Sequence, residues 1–269
     1  MPSARKFIDI FRIAALQAGS AARRLQGEVS LQTKPGQASP EGSALTAVDL
    51  AAQDIVLHLL HAALPEVAID AEEETETVQL FPPVEDGRPL VVLDPIDGTL
   101  NYARGSQNYA VMAGLINEGA YEAAVVHFPA WRQLFWARRH HGCWQQLDVD
   151  DSRQIRVKGT RPLLLVAPMV PKSRRSKLKD LGFEVRVSHC SAVDSSAPAI
   201  DQAAGALSVT GLGRRRAIGL LLTLEAGGVV KIGGRDWQGE DPLSVSVARG
   251  PTVVADSEDT ARRILSVLS

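Results

Sequence analysis

Cysteine is nearly missing from this chain. Its 269 residues carry only Cys143 and Cys190. Two isolated thiols provide no zinc-ligand spacing and no disulfide framework, so neither a metal-knotted nor a cross-linked secreted scaffold is expected. Long apolar runs are missing too, none approaching the ~20 residues of a membrane span. Neither charge is in excess. With 29 Lys and Arg against 31 Asp and Glu, the formal net charge is −2. No basic field therefore invites a nucleic-acid polymer or an anionic membrane as partner. Arg5, Lys6, Asp9 and Arg12 interrupt the apolar pattern at the start, unlike a secretory leader. A cytoplasmic location is the expectation.

What is present is ordinary for a globular chain: 45% hydrophobic and 22% charged residues. The length suits one large domain or two closely joined subdomains. The expected division is an α+β half over 1–158, holding the site, and an α/β half over 159–269.

The informative stretch is Val91-Val92-Leu93-Asp94-Pro95-Ile96-Asp97-Gly98-Thr99. An apolar run ending in carboxylates reads as a buried strand that delivers polar groups at its C-terminal end. Pro95 turns the chain between Asp94 and Asp97. Two carboxylates that close repel each other unless a cation sits between them. Mg²⁺ suits oxygen ligands, binding through a few carboxylates with water and phosphate. Gly98 and Thr99 then bring backbone N–H groups to the start of the next element, which suits a phosphate oxygen. An Asp-rich turn is the plain alternative.

Around this stretch the periodicities alternate. Phe7, Ile10, Phe11, Ala14 and Ala18 have helical spacing. Thr46 can cap a helix carrying Leu50, Ile55, Val56, Leu59 and Leu60. Val67–Ile69 is a short strand running into the acidic Asp70–Thr75. Tyr109–Ile116, Tyr121–His127, Gln133–Ala137 and a strand near Cys143–Leu147 predict an antiparallel sheet. Leu163–Val166 (strand), Arg174–Leu181 (helix) and Val185–Val187 (strand) predict an α/β half. Ala197–Leu207 reads as a small-residue helix and Ala217–Leu224 as another. Val253–Asp256 reads as a strand, and Ser257 as the cap of a last helix. Cys190 reads as a buried structural thiol.

Asp94-Pro95-Ile96-Asp97-Gly98-Thr99, followed by Leu100-Asn101-Tyr102, resembles the first signature of the inositol monophosphatase family, which comprises metal-dependent, lithium-sensitive phosphatases. Thr46–Asp49, the acidic run, Cys190-Ser191-Ala192 and Glu225-Ala226-Gly227-Gly228 match further segments of that family in order. The resemblance implies a layered αβαβα sugar-phosphatase fold of the mixed α/β class, a homodimer, and Mg²⁺-assisted hydrolysis of a small phosphorylated metabolite. Anchored on Thr75, it makes Glu73 the glutamate ligand, while a one-residue shift would promote Glu72. Glu73, Asp94, the carbonyl of Ile96 and Asp97 would then hold Mg²⁺. Asp49 and Thr99 would activate water, with Glu73 counted in the catalytic set. Gly98, Thr99 and Ser191 would face the phosphate or substrate, and the region of Lys34 would lie near the metals.

One departure stands out. Counting back from Glu225, the family's Trp-Asp pair falls on Arg214-Arg215, so its third metal-binding aspartate is an arginine here. Arg214–Arg216 would open a helix, where positive charge opposes the macrodipole by about 0.3–1 kcal/mol each. Arg215 is therefore expected to pair with Asp97 or fork to a phosphate oxygen, standing in for a metal's charge. Three solvent-facing arginines are the alternative, and Asp194 or Asp201 are further carboxylates within reach. Two functions remain open: a working phosphatase, and a non-catalytic relative that binds a phosphorylated ligand.

Overall fold

The computed structural model describes residues 3–33, 44–147, 151–159, 161–243 and 250–268. Lys34 lies outside them. The elements in chain order are α1 (Ala4–Leu25), β1 (Gln32–Thr33), β2 (Ala44–Leu45), α2 (Ala47–Ala63), β3 (Ala68–Ala71), β4 (Leu90–Asp97), α3 (Thr99–Ala103), β5 (Ala110–Asn117), β6 (Ala120–Phe128), β7 (Gln133–Arg138), β8 (Cys143–Gln146) and β9 (Ser152–Ile155). There follow β10 (Leu163–Val166), α4 (Lys172–Asp180), β11 (Glu184–Arg186), α5 (Ser191–Ser196), β12 (Gly205–Ser208), α6 (Arg214–Glu225), β13 (Val229–Ile232), β14 (Arg235–Asp236), β15 (Thr252–Ala255) and α7 (Glu258–Leu265).

Two sheets carry the fold. The first runs β3-β4-β5-β6-β7-β8-β9 and the second β11-β10-β12-β15-β13-β14. In the first, β3 lies parallel to β4 and the remaining pairs are antiparallel. Period-2 alternation divides its side chains between two cores. Val91, Leu93, Val111, Ala113, Ala123 and Val125 pack against the apolar stripes of α1 and α2. Leu90, Val92, Met112, Ala124 and Val126 face α5 and α6, which also touch Val230 and Val254 of the second sheet. The far face of that sheet, Leu164, Val166, Leu207 and Val253, is covered by Leu178 of α4 and Ala261 and Ile264 of α7. The layers are therefore helix, sheet, helix, sheet, helix. Among the described residues no helix is long and apolar enough to cross a membrane.

The sequence-based helix over Ala197–Leu207 is incorrect. Helix α5 stops at Ser196, Asp201 adopts φ 58°, and the chain re-enters the second sheet as β12. The small residues there serve close approach: a Cβ on Gly205 would lie 2.4 Å from the carbonyl oxygen of Val254.

Helix α1 lies equally close to the first sheet. A Cβ on Gly19 would come within 2.5 Å of the His127 ring and 2.8 Å of Pro129. His127 is buried and its Nδ1 donates to the carbonyl of Ala15 at 2.8 Å, which fixes the ring. Helix propensity alone would make Gly19→Ala stabilising by about 0.5–1 kcal/mol. The packing reverses the sign: urea unfolding should show Gly19→Ala destabilised by about 1–3 kcal/mol.

Candidate active site

Along β4, Asp94 sits opposite Met112 and Asp97 opposite Ala110 of β5. One strand thus spends an extra residue, a β-bulge at Pro95-Ile96. Residues three apart on a regular strand face opposite ways, and the extra residue cancels that alternation. Pro95, lacking an N–H, is tolerated at such a break in the ladder. Asp94 and Asp97 consequently point to the same side. Both are buried and both line a cleft at the strand's C-terminal end. The cleft holds about 170 Å³, well beyond the ~10–15 Å³ one water needs.

Thr46 and Asp49 close a capping box at the start of α2, with Val48 N–H donating to Thr46 Oγ1 at 3.2 Å and Thr46 N–H to Asp49 Oδ2 at 2.7 Å. Thr46 Oγ1 also donates to Asp49 Oδ2 at 2.6 Å. The other carboxylate oxygen, Oδ1, lies 2.9 Å from the hydroxyl of Thr99, which is equally 2.9 Å from the carbonyl of Ile96. Asp49 and Thr99, fifty residues apart, therefore touch. Gly98 makes the turn into α3 at φ 85°, and a Cβ there would lie 2.8 Å from the carbonyl of Asn108. Glycine is needed on both counts.

Asp97 reaches across to the C-terminal half. Its Oδ1 accepts from Ser191 Oγ at 2.6 Å, and its Oδ2 from the N–H of Ala192 at 2.7 Å and from Cys190 Sγ at 2.8 Å. Asn101 adds a second tie, donating to the carbonyls of Asn108, Ser188 and His189. Nothing in the residue spacing announced that role for Asn101.

Glu72, and not Glu73, enters the cleft. The amide of Gln53 on α2 grips Glu73 by its backbone: Nε2 donates to the Glu73 carbonyl at 2.6 Å, and Glu73 N–H donates to Oε1 at 3.0 Å. Held so, Glu72 lines the cleft and hydrogen-bonds Asp94. The Glu73 side chain instead borders a separate depression with Asp70, Glu74 and Thr75. The cleft is lined by the residue of the one-residue shift, Glu72, in place of the Thr75-anchored Glu73, and the clamp by Gln53 was not legible.

The arginines also depart from expectation. Arg214 forks onto Asp241, with contacts of 2.6–3.0 Å, and reaches Asp70 at 3.3 Å. Arg215 donates to the carbonyl of Ala71 at 2.8 Å and pairs with Asp70 at 3.7 Å, not with Asp97. Successive helical residues project about 100° apart, so three arginines cannot share one direction. The one that lines the cleft is Arg216, its Nη1 held by Ser208 Oγ at 3.0 Å, Thr210 Oγ1 at 2.9 Å and the carbonyl of Gly211 at 3.3 Å. Asp194 lines the cleft as well, whereas Asp201 pairs with Lys158 elsewhere.

The electrostatics follow from that crowding. Burial lifts the Asp94 carboxyl well above the usual range, and the charges of Glu72 and Asp97 add to it, while Arg215 opposes. Burial raises Asp97 too, against hydrogen bonds from Cys190, Ser191 and Ala192. Asp49 is raised by burial despite its bonds from Thr46 and Thr99. Asp194 is pushed by burial to about 7, with Ser188 and Arg216 opposing and Asp97 reinforcing.

A sequence model of the inositol monophosphatase family matches residues 5–264. The chain belongs to the inositol monophosphatase family. An inositol-1-monophosphatase of Mesorhizobium japonicum is 28% identical over 245 residues, covering 85% of this chain and 87% of the relative. A histidinol-phosphatase of Streptomyces coelicolor is 26% identical over 155 residues, so the match spans only about half, 56%, of each protein. A solved IMPase/NADP phosphatase in complex with Mg²⁺ and phosphate superposes with a TM-score of 0.72 at 18% identity, over 94% of this chain and 91% of that one.

Family members are metal-dependent phosphatases, which raises the question of what this cleft can hold. Among the described residues no group of three His, Cys, Asp or Glu side chains has metal-holding geometry. The expected set of Glu73, Asp94 and Asp97 is thus not assembled. The pair Glu72 and Asp94 does fit one hard cation. Its two carboxyls are within hydrogen-bond reach, and Asp94 Oδ1 is buried with no hydrogen-bond partner. A divalent ion held by one or two carboxylates, with water and phosphate completing its shell, is the usual Mg²⁺ arrangement. No comparable orphaned oxygen marks a second ion site at Asp97 among the described residues: its oxygens accept from Ser191, Cys190 and Ala192.

Asp194 generates a pH prediction. Its carboxyl moves from 3.8 unfolded to about 7 folded, so the folded state holds the proton more tightly. The stability this contributes is complete below pH ~4 and lost as pH rises toward ~7. In metal-free protein, the Tm of Asp194→Asn minus that of wild type should grow between pH 4 and pH 7. A flat difference in thermal scans would contradict this.

Proposed function

We propose that this chain is a divalent-metal-dependent phosphomonoesterase acting on a small phosphorylated metabolite. The observation that carries the reading is the contact between Asp49 and Thr99 beside the buried Glu72–Asp94 pair. Glu72, Asp94 and the carbonyl of Ile96 would hold the ion, Mg²⁺ by analogy with the family. When bound, such an ion lowers the pKa of water and offsets phosphoryl charge.

The chain's own groups supply the rest. A hydroxyl carries one proton, so Thr99 can donate to Asp49 while its lone pair receives a hydrogen bond from an attacking water. Asp49, lifted by burial, is a better proton acceptor than an ordinary aspartate, and general-base help of this kind contributes about 10²–10⁴-fold. Gly98, Thr99 and Ser191 line the cleft where the phosphate would lie. Residues of the second sheet, including Ala206 and Val254, form its apolar wall. Homodimer formation and a cytoplasmic location are part of the same proposal and rest on family likeness.

A second reading has one observation in its favour. Asp97 is already engaged by Ser191, Cys190 and Ala192, and a site with a single ion could bind a phosphorylated ligand without turning it over. A Mg²⁺-dependent phosphate-release screen over inositol 1-phosphate, fructose 1,6-bisphosphate, 3′-phosphoadenosine 5′-phosphate and histidinol phosphate separates the two. Turnover of at least one is expected. Phosphate-ligand binding with no release from any would favour the second reading.

Two variants probe the assignment within an active enzyme. Thr99→Val should lower kcat by about 10²-fold or more with KM little changed. Glu72→Gln should raise the Mg²⁺ concentration for half-maximal rate by about tenfold or more, whereas Glu73→Gln should shift it less than about threefold. Equal effects of the two glutamines would return Glu73 to the site.

A further inference from the structure

We propose that Arg216 supplies the second positive charge of this site, so that one divalent ion and one guanidinium, rather than two metal ions, meet a single phosphoryl group. The inference rests on the phosphatase reading and deepens it.

Charge balance is the first argument. Glu72, Asp94, Asp97 and Asp194 all line the cleft, and among the described lining residues Arg216 is the one Lys or Arg. One ion at Glu72 and Asp94 is neutralised by those two carboxylates, leaving little net charge for a phosphate dianion. A guanidinium in the same cleft restores attraction, and its planar fork suits phosphate oxygens.

The second argument is positional. Arg214 and Arg215 are occupied by Asp241, Asp70 and the carbonyl of Ala71. Arg216 lies within electrostatic reach of Asp97 and Asp194, yet among the described residues none of its hydrogen bonds goes to a carboxylate. Two neutral hydroxyls and one carbonyl hold Nη1, which aims the head group without neutralising it. The guanidinium is only partly exposed, and burial makes an anionic partner more valuable to it.

The third argument is the state of Asp97. Its carboxylate is held against the first turn of α5 by Ala192 N–H, Ser191 Oγ and Cys190 Sγ. The cationic side chain of the cleft within electrostatic reach of that carboxylate is Arg216.

The test uses the full chain and two probes, Mg²⁺ and inorganic phosphate, followed by isothermal titration calorimetry. Wild type should bind one Mg²⁺ per chain in the presence of phosphate. Arg216→Gln should keep that stoichiometry and its metal affinity within about threefold, while phosphate affinity measured in saturating Mg²⁺ falls at least tenfold. Arg216→Lys should recover part of the loss, since lysine keeps the charge but not the fork. Two ions per chain in wild type would overturn the proposal. So would an Arg216→Gln protein that loses thermal stability but binds phosphate as wild type does, for then Arg216 merely braces the loop at Ser208–Gly211. If wild type binds neither probe, the phosphatase reading falls and this inference with it. Wild-type turnover with unchanged phosphate binding in Arg216→Gln would remove this inference alone.

Discussion

Carboxylates buried against one another are the constraint on which this molecule turns. Glu72, Asp94, Asp97 and Asp194 come from three segments, the end of β3, β4 and α5, and converge on one cleft. Each is costly to ionise away from water, and mutual repulsion adds to the cost. The fold meets that cost unevenly. Asp97 is satisfied by three donors from the C-terminal half, and Asp49 nearby by Thr46 and Thr99. Asp94 is left with a buried oxygen that no protein group addresses. The arrangement spends hydrogen bonds on two carboxylates and withholds one from a third, the feature on which the proposed ion site rests.

The same bonds join the two halves of the chain. Asp97 and Asn101 leave the end of β4 and the start of α3 to hold the backbone between Ser188 and Ala192. The cleft is thus bounded by both sheets, and the bulge at Pro95-Ile96 sets its geometry. A change that straightened the bulge would turn one of the two aspartates toward the helical layer of α1 and α2.

Three arginines, Arg214, Arg215 and Arg216, open α6. Two of these close ion pairs at the edge of β3, with Asp70 as the shared partner. Only the third belongs to the cleft. The positive charge that opposes the α6 dipole is therefore partly compensated by Asp70 and Asp241 and partly left facing the substrate volume. The contact between Asp49 and Thr99 lies on α2 and α3, away from these arginines, whereas Arg215 reaches the carbonyl of Ala71 beside Glu72 and lowers the cost of ionising Asp94.

The sequence by itself determined the strand that ends in Asp94 and Asp97, and its resemblance to the inositol monophosphatase signature implied the layered fold and the pairing of Asp49 with Thr99. The strand rests on its apolar run and contiguous signature, while the fold and the Asp49–Thr99 pairing rest on the resemblance that signature carries. Only the tertiary structure decided which of several adjacent like residues faces inward. Glu72 was preferred over Glu73 by a glutamine twenty residues away, and Arg216 over Arg215 by helix phase. It likewise turned Ala197–Leu207 into a turn and a strand, because Gly205 and its neighbours must pass close to Val254. The reason is common to all three. Runs of one residue type carry no internal phase, and their orientation is set by partners distant in the chain.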